Sequence, residues 1–203
     1  VGALALLAET LADSDDMDLN RRLAEKMVDE AHRAAGTIDD LLELSRIELG
    51  GQGEQEDVSV TAVIRDAAAR HQLTAESFGV SLEVHDLNGV VVKGNRLQLV
   101  SAVSNLIDNA VKYSGKNPHP RISIACRPDA AARELIFSIT DNGVGFDMKY
   151  ADKLFKVFER LHSGEDYGGH GVGLAIVARM VRTRSYGATM FGISAQVSDS
   201  SRL

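Results

Sequence analysis

The chain has 203 residues, 44% hydrophobic and 25% charged, the range of a folded globular protein with one sizeable core or two small ones. A formal net charge of −7 argues against a nucleic-acid surface, which needs a basic face, and no apolar run approaches the roughly 18 residues of a membrane span. The apolar start VGALALLAETLA is short and has no basic leader, so it does not read as a signal peptide, and the single cysteine, Cys126, excludes an internal disulfide and points to a reducing cytoplasmic setting.

Residues 1–49 read as two helices and a turn. Val1, Leu4, Leu7 and Leu11 share one face of the first, and the polar run ADSDDMD ends it. The second runs from about Leu19 to Leu49, with Leu23, Met27, Ala31, Ala34, Ile38, Leu41, Leu42 and Ile47 near helical spacing. A hairpin this long cannot bury its stripe alone. It is expected to pair with a second copy into a four-helix bundle; packing on its own domain is the alternative. Three glycines and several acids in ELGGQGEQED make residues 50–57 a linker.

Residues 58–203 mix strands and helices. DVSV reads as a short strand, TAVIRDAAARHQLTAESFG as a helix ending at Gly79, and VSLEVH and GVVVKG as strands. Asn95 is suited to cap a helix that carries NLIDNAVKYSG. RISIACR, where Cys126 reads as a small buried side chain, and ELIFSIT are strands joined by PDAAAR. Helices are expected over MKYADKLFKVF and GVGLAIVARMV. The fold class is α+β: a helical hairpin followed by an α/β sandwich, with helices on one face of a mixed sheet.

Two asparagines on one helix face are unexpected, because each costs roughly half a kcal/mol relative to alanine. Asn105, Asn109 and Lys112 fall within about 60° of one another on a helical wheel, beside the apolar Leu99, Val103, Leu106, Ile107 and Ala110. Amide oxygens are neutral hard ligands suited to Mg²⁺, which keeps waters and shares phosphate oxygens. Lys112 offers phosphate a point charge and Tyr113 offers a base a flat face. A solvated helix face accounts for the same stripe.

The second element is DNGVGF. Asp141 follows a strand, and its carboxylate, an acceptor only, suits an exocyclic amino group such as that of adenine. Gly143 and Gly145 permit positive φ and close backbone approach; an ordinary Asn-Gly turn is the alternative. Next, LFKVFER brings Phe155, Phe158 and Arg160 together, with core packing expected of the two phenylalanines. Last, GGHGVGLAI alternates Gly169, Gly171 and Gly173 before a helix start, where free N–H groups and the helix dipole favour an anion. The polar, glycine-rich HSGEDYGG before it reads as a lid.

The order and spacing of these four elements resemble the ATP-binding catalytic domain of sensor histidine kinases, in the superfamily shared with DNA gyrase and the large heat-shock chaperones. FDMKYADKLFKVFERLH is similar to the phytochrome-type branch, and the hairpin ending LLELSRIELG is similar to the dimerisation and phosphotransfer domain of such kinases. The resemblance covers residues 1 to about 181. It implies that Asn105 and Asn109 hold Mg²⁺ with the ATP phosphates, and that Lys112 meets phosphate. It places Tyr113 against the adenine and Asp141 on its amino group, with Gly143 and Gly145 shaping the pocket. Gly169, Gly171, Gly173 and Leu174 cap the phosphates, Phe155 and Phe158 are counted among the nucleotide-binding residues, and Arg160 serves the γ-phosphate, making Asn105, Lys112 and Arg160 the implied catalytic set. The implied partners are a second copy through the hairpin and a response-regulator receiver domain, and the implied setting is the cytoplasm, free or below a membrane anchor.

Hydrolytic members of the superfamily usually carry a glutamate base where this chain has Asn105, whose amide takes no proton. A kinase needs no such base, because imidazole is already a nucleophile. Asp108 reads as solvated or in the Mg²⁺ shell. The resemblance is incomplete at both ends. Residues 1–12 hold no histidine, so the sequence is expected to begin just past the phosphoacceptor. His32 reads as a surface residue, His71, His85 and His119 lack metal spacing, and His162 and His170 flank the lid, His170 replacing a usual Thr or Ser. RTRSYGATMFGISAQVSDSSRL offers one strand, about Ala188 to Ser194, and no closing turn, so the domain 58–203 has an atypical C-terminus and is expected to be less stable than a complete one. A kinase core, an ATPase relative and a nucleotide-binding module without catalysis are the three readings.

Overall fold

The computed structural model describes residues 2–48, 55–85, 89–129, 134–159, 169, 171–182 and 189–191. The chain divides into two units, Val1–Ser45 and Arg46–Leu203.

The first unit holds two helices joined by a short turn, α1 (Gly2–Ala12) and most of α2 (Met17–Glu48), the last residues of α2 belonging to the second unit. Asp16 starts α2: its carboxylate accepts from Asp18 N at 2.9 Å and Leu19 N at 3.1 Å, satisfying two of the helix's unpaired donors. Leu23 is buried, and Leu4, Leu7, Leu11 and Met27 are partly covered. Ile38 (58% exposed) and Leu42 (49%) remain open to solvent.

The first strand of the second unit, β1 (Glu56–Ser59), starts two residues inside the expected linker. Ser59 caps α3 (Val60–Ser77); β2 (Ser81–Val84) and β3 (Val91–Gly94) follow. Asn95 caps α4 (Arg96–Ser114), its side chain accepting from Gln98 N at 3.0 Å. β4 (Arg121–Asp129), β5 (Glu134–Asp141), a 3₁₀ turn (Met148–Lys153), α5 (Gly173–Arg182) and β6 (Thr189–Phe191) complete the order. β1 and β3 form an antiparallel ribbon. The main sheet has the order β2-β4-β5-β6, parallel, antiparallel and parallel in turn.

The core follows the apolar periodicity. Val60, Val63, Ile64, Ala67 and Ala68 of α3 are buried at i, i+3, i+4, i+7 and i+8. α4 lies between α3 and α5 and against β4 and β5, and buries Leu99, Val103, Leu106, Ile107 and Ala110. The sheet sends Ile122, Ile124, Phe137 and Ile139, every second residue, into the same core. Three helices thus cover one face of a mixed sheet.

The structure corrects three expectations. The helix expected over MKYADKLFKVF is only a 3₁₀ turn of six residues, capped by Asp147. Phe155 and Phe158, expected in the core, are 37% and 59% exposed, because without a continuous helix their spacing fixes no face. Cys126 is half-buried rather than buried; desolvation still pushes its thiol up to about 11, so it is an unreactive thiol at neutral pH.

Candidate functional site

The polar stripe of α4 is the base of the site. Asn105, Asn109, Lys112 and Tyr113 are half-buried, while their neighbours Leu106, Ile107, Ala110 and Val111 are buried. Burying that apolar side fixes the helix's rotation and so aims the stripe. Lys112 is ion-paired one turn back with Asp108. Asp108, expected as a solvated or metal-shell residue, is about a third exposed and neutralises the lysine. His71 on α3 faces the same pair; burial lowers its pKa, Asp108 opposes that shift, and Lys112 and Arg70 add to it.

The DNGVGF turn meets the end of this helix. Asp141, the last residue of β5, pairs in register with Ile122 and accepts from Gly143 N at 2.9 Å. Burial raises its carboxyl above the ordinary range, and the bond from Gly143 only partly offsets this. It is a partly desolvated acceptor. Val144 N donates to the Tyr113 carbonyl at 3.2 Å. A Cβ on Gly143 would stand 2.4 Å from that same oxygen, so glycine is required there for close approach. Gly145, with φ +61°, is required for its left-handed backbone.

The glycine run lies over the stripe. A Cβ on Gly173 would fall 2.8 Å from Asn105 Oδ1, and one on Gly169 would fall 3.4 Å from Lys112 Nζ. Gly171 O accepts from Phe158 N at 2.9 Å, which ties the phenylalanine segment to the glycine run. α5 starts at Gly173, so its first free N–H groups belong to the segment that covers Asn105. Leu174 is partly covered on its first turn.

The structure therefore brings together Asn105, Lys112, Tyr113, Asp141, Gly143, Gly169 and Gly173, from three separate motifs; Asn109 shares the stripe. Phe158 stands exposed beside the glycine run, and Phe155 is exposed as well. Arg160, His162 and His170 lie outside the described residues. No group of three His, Cys, Asp or Glu side chains suited to a metal occurs among the described residues. The amide oxygens of Asn105 and Asn109 are neutral hard donors by their own chemistry. With Gly169 over Lys112 and Gly173 over Asn105, no Cβ stands between the stripe and the glycine run, and the amide and ammonium groups there have the chemistry to meet phosphate and a hard cation.

Sequence reasoning missed Asn142 and Asn117. The Asn142 side chain accepts from Arg121 N at 2.8 Å and donates to His119 O at 2.8 Å. Asn117 Nδ2 donates to Asn142 O at 2.7 Å, and Asn117 Oδ1 accepts from His119 N at 2.9 Å. Only the Asn-Gly dipeptide signalled this, and it signals a turn rather than a partner 21 residues away.

The family model for histidine kinase-, DNA gyrase B- and HSP90-like ATPases matches residues 94–201. The sensor-like histidine kinase SenX3 of Mycolicibacterium smegmatis is 37% identical over 181 residues, covering 87% of this chain and 46% of its own length. The chain thus spans about half the length of the curated relatives it matches. Among solved structures, the histidine kinase AdeS of Acinetobacter baumannii aligns with TM-score 0.66 at 22% identity, covering 88% of this chain and 81% of that one. The histidine kinase ThkA, solved in complex with the response regulator protein TrrA, aligns with TM-score 0.62 at 15% identity, over 79% of this chain and 47% of that one. At these identities the two structures establish the fold.

Proposed function

The chain belongs to the family of histidine kinase-, DNA gyrase B- and HSP90-like ATPases, and from that premise we propose that it is the dimerising catalytic core of a two-component sensor histidine kinase. The family implies ATP binding. The reaction proposed is transfer of the γ-phosphoryl group of ATP to a histidine, and onward to an aspartate of a response regulator. The observation that carries this is the placement of the Gly143 turn on the Tyr113 carbonyl, of Gly173 on the Asn105 amide and of Gly169 on Lys112.

Each residue then has a task. Asp141 accepts from the adenine amino group, and Tyr113 flanks the base. Asn105 and Asn109 would hold magnesium by their amide oxygens, and the ion would neutralise charge on the phosphates. Lys112 exchanges Asp108 for a phosphate oxygen when ATP enters, and Arg160 serves the γ-phosphate. The N–H groups of Gly171, Gly173 and the first turn of α5 supply neutral donors to the phosphates. Phosphoryl transfer depends mainly on positioning and charge stabilisation, which this set provides. Asn105 stands where a hydrolase needs a base, so water is left unactivated.

The hairpin is the proposed dimerisation and phosphotransfer element, and the response regulator the proposed downstream partner. His32 is the only histidine of residues 1–49. The chain alone is therefore not expected to label its own hairpin, and transfer is tested on a second chain. With γ-labelled ATP and a hairpin bearing an acceptor histidine, acid-labile, base-stable label on that hairpin is the expected result. Binding of ATP without transfer would favour a non-catalytic nucleotide-binding dimerisation module. Release of phosphate without labelling would favour an ATPase.

A further inference from the structure

We propose that Asn142 is the positioning residue for adenine recognition, its side chain bridging the backbone on both sides of Pro120 and holding the Asp141 carboxylate in aim. The inference rests on the ATP-binding reading above. Pro120, just before β4, has no N–H to offer. The Asn142 amide bridges its two neighbours: it donates to His119 O on one side of the proline and accepts from Arg121 N on the other, each at 2.8 Å. Its own backbone is held as well. Asn142 N donates to Arg121 O at 3.3 Å, and its carbonyl accepts from Asn117 Nδ2 at 2.7 Å. Asn117 in turn accepts from His119 N at 2.9 Å, which closes the loop between α4 and β4 onto the turn.

Asn142 lies between the two residues that shape the base pocket. Asp141 ends the β5 ladder, and Gly143 is seated against Tyr113. The turn is thus fixed at Val144 by α4 and at Asn142 by β4. Without the Asn142 amide the turn keeps its backbone bonds, from Asn142 N to Arg121 O, from Asn117 Nδ2 to Asn142 O and from Val144 N to the Tyr113 carbonyl, but loses both side-chain ties to the residues on either side of Pro120, and the Asp141 carboxylate then turns more freely about its contact with Gly143 N. A carboxylate that can rotate loses the directional bond that distinguishes an amino group from a carbonyl on the purine ring. It need not lose affinity for the phosphates, which α4 and the glycine run hold.

The test is calorimetric binding of ATP and ITP, which replaces the amino group by a carbonyl, to the full 203-residue chain and to Asn142→Ala. The wild type is expected to prefer ATP at least tenfold, the roughly 1.4 kcal/mol of one good hydrogen bond. Asn142→Ala is expected to narrow that preference to about threefold or less, by weakening ATP and sparing ITP. A merely structural role would weaken both nucleotides alike, and an unchanged ratio in a folded Asn142→Ala chain would overturn the proposal. Asn117→Ala removes the bond to the Asn142 carbonyl and the one from His119 N but leaves the Asn142 side chain in place, and it carries the same test, with a smaller narrowing, should Asn142→Ala fail to fold. A wild type that binds neither nucleotide overturns the ATP reading and this inference with it. A wild type that binds both equally removes Asp141 as the adenine reader.

Discussion

Asp141 carries a charge where charge is costly. Burial raises its carboxyl above the ordinary carboxylate range, with the Gly143 N–H pulling the other way. A carboxyl raised in the folded state costs stability at neutral pH, and the cost is relieved as pH falls through the raised value. Asp141→Asn is therefore expected to leave thermal stability of the ligand-free protein unchanged or higher. The same change should weaken ATP roughly ten- to hundredfold, because a bond to a charged acceptor is lost. Melting curves and calorimetry on one preparation check both halves; a destabilised variant that still binds ATP normally would contradict them. The residue types of this site were legible in the sequence because the chemistry is local to each motif. Asn142 was not, because its role arises only where the end of β5 meets the start of β4. The exposure of Phe155 and Phe158 was not legible either, since helical spacing says nothing once the chain leaves the helix.

α4 is the element on which everything else is seated. Its apolar side packs on α3, α5 and the sheet, and its polar stripe faces the glycine run. Ile107, fully buried at its centre, sets the rotation of the stripe. The cap Asn95, the alternation in β4 and β5, and the period of α3 and α4 made the fold readable in advance; the cap Ser59 was hidden at the end of a strand-like run. The 3₁₀ turn escaped because Asp147 caps a segment too short to show a period. His71 links α3 to the site. Burial, Lys112 and Arg70 hold its pKa below the ordinary 6.5, and Asp108 opposes them. The folded state thus keeps the ring neutral where the unfolded chain takes a proton. Its contribution is complete above 6.5 and is lost as pH falls below 6.5 through the depressed value. His71→Gln is expected to flatten the decline of melting temperature just below pH 6.5. Parallel profiles for the two proteins would show that the ring does not contribute.

At the scale of the molecule, the hairpin leaves apolar side chains uncovered in a single copy. Ile38 and Leu42 lie one turn apart on α2 and are both about half exposed or more. A pair of such hairpins would cover them in a four-helix bundle. Sedimentation should therefore find a dimer, and Ile38→Glu with Leu42→Glu should yield a folded monomer. A wild-type monomer at tens of micromolar would set the dimer aside. Among the described residues no helix is long and apolar enough to cross a membrane.

The central claim is that the α4 stripe is a magnesium–nucleotide site, and calorimetric titration of ATP tests it most directly. In magnesium the 203-residue chain should bind with a Kd roughly in the micromolar range, and Asn109→Ala should weaken binding at least tenfold. With EDTA in place of magnesium, the two proteins should become nearly equal. A folded chain that gives no ATP binding, or an Asn109→Ala chain that binds as tightly as wild type in magnesium, would contradict the account.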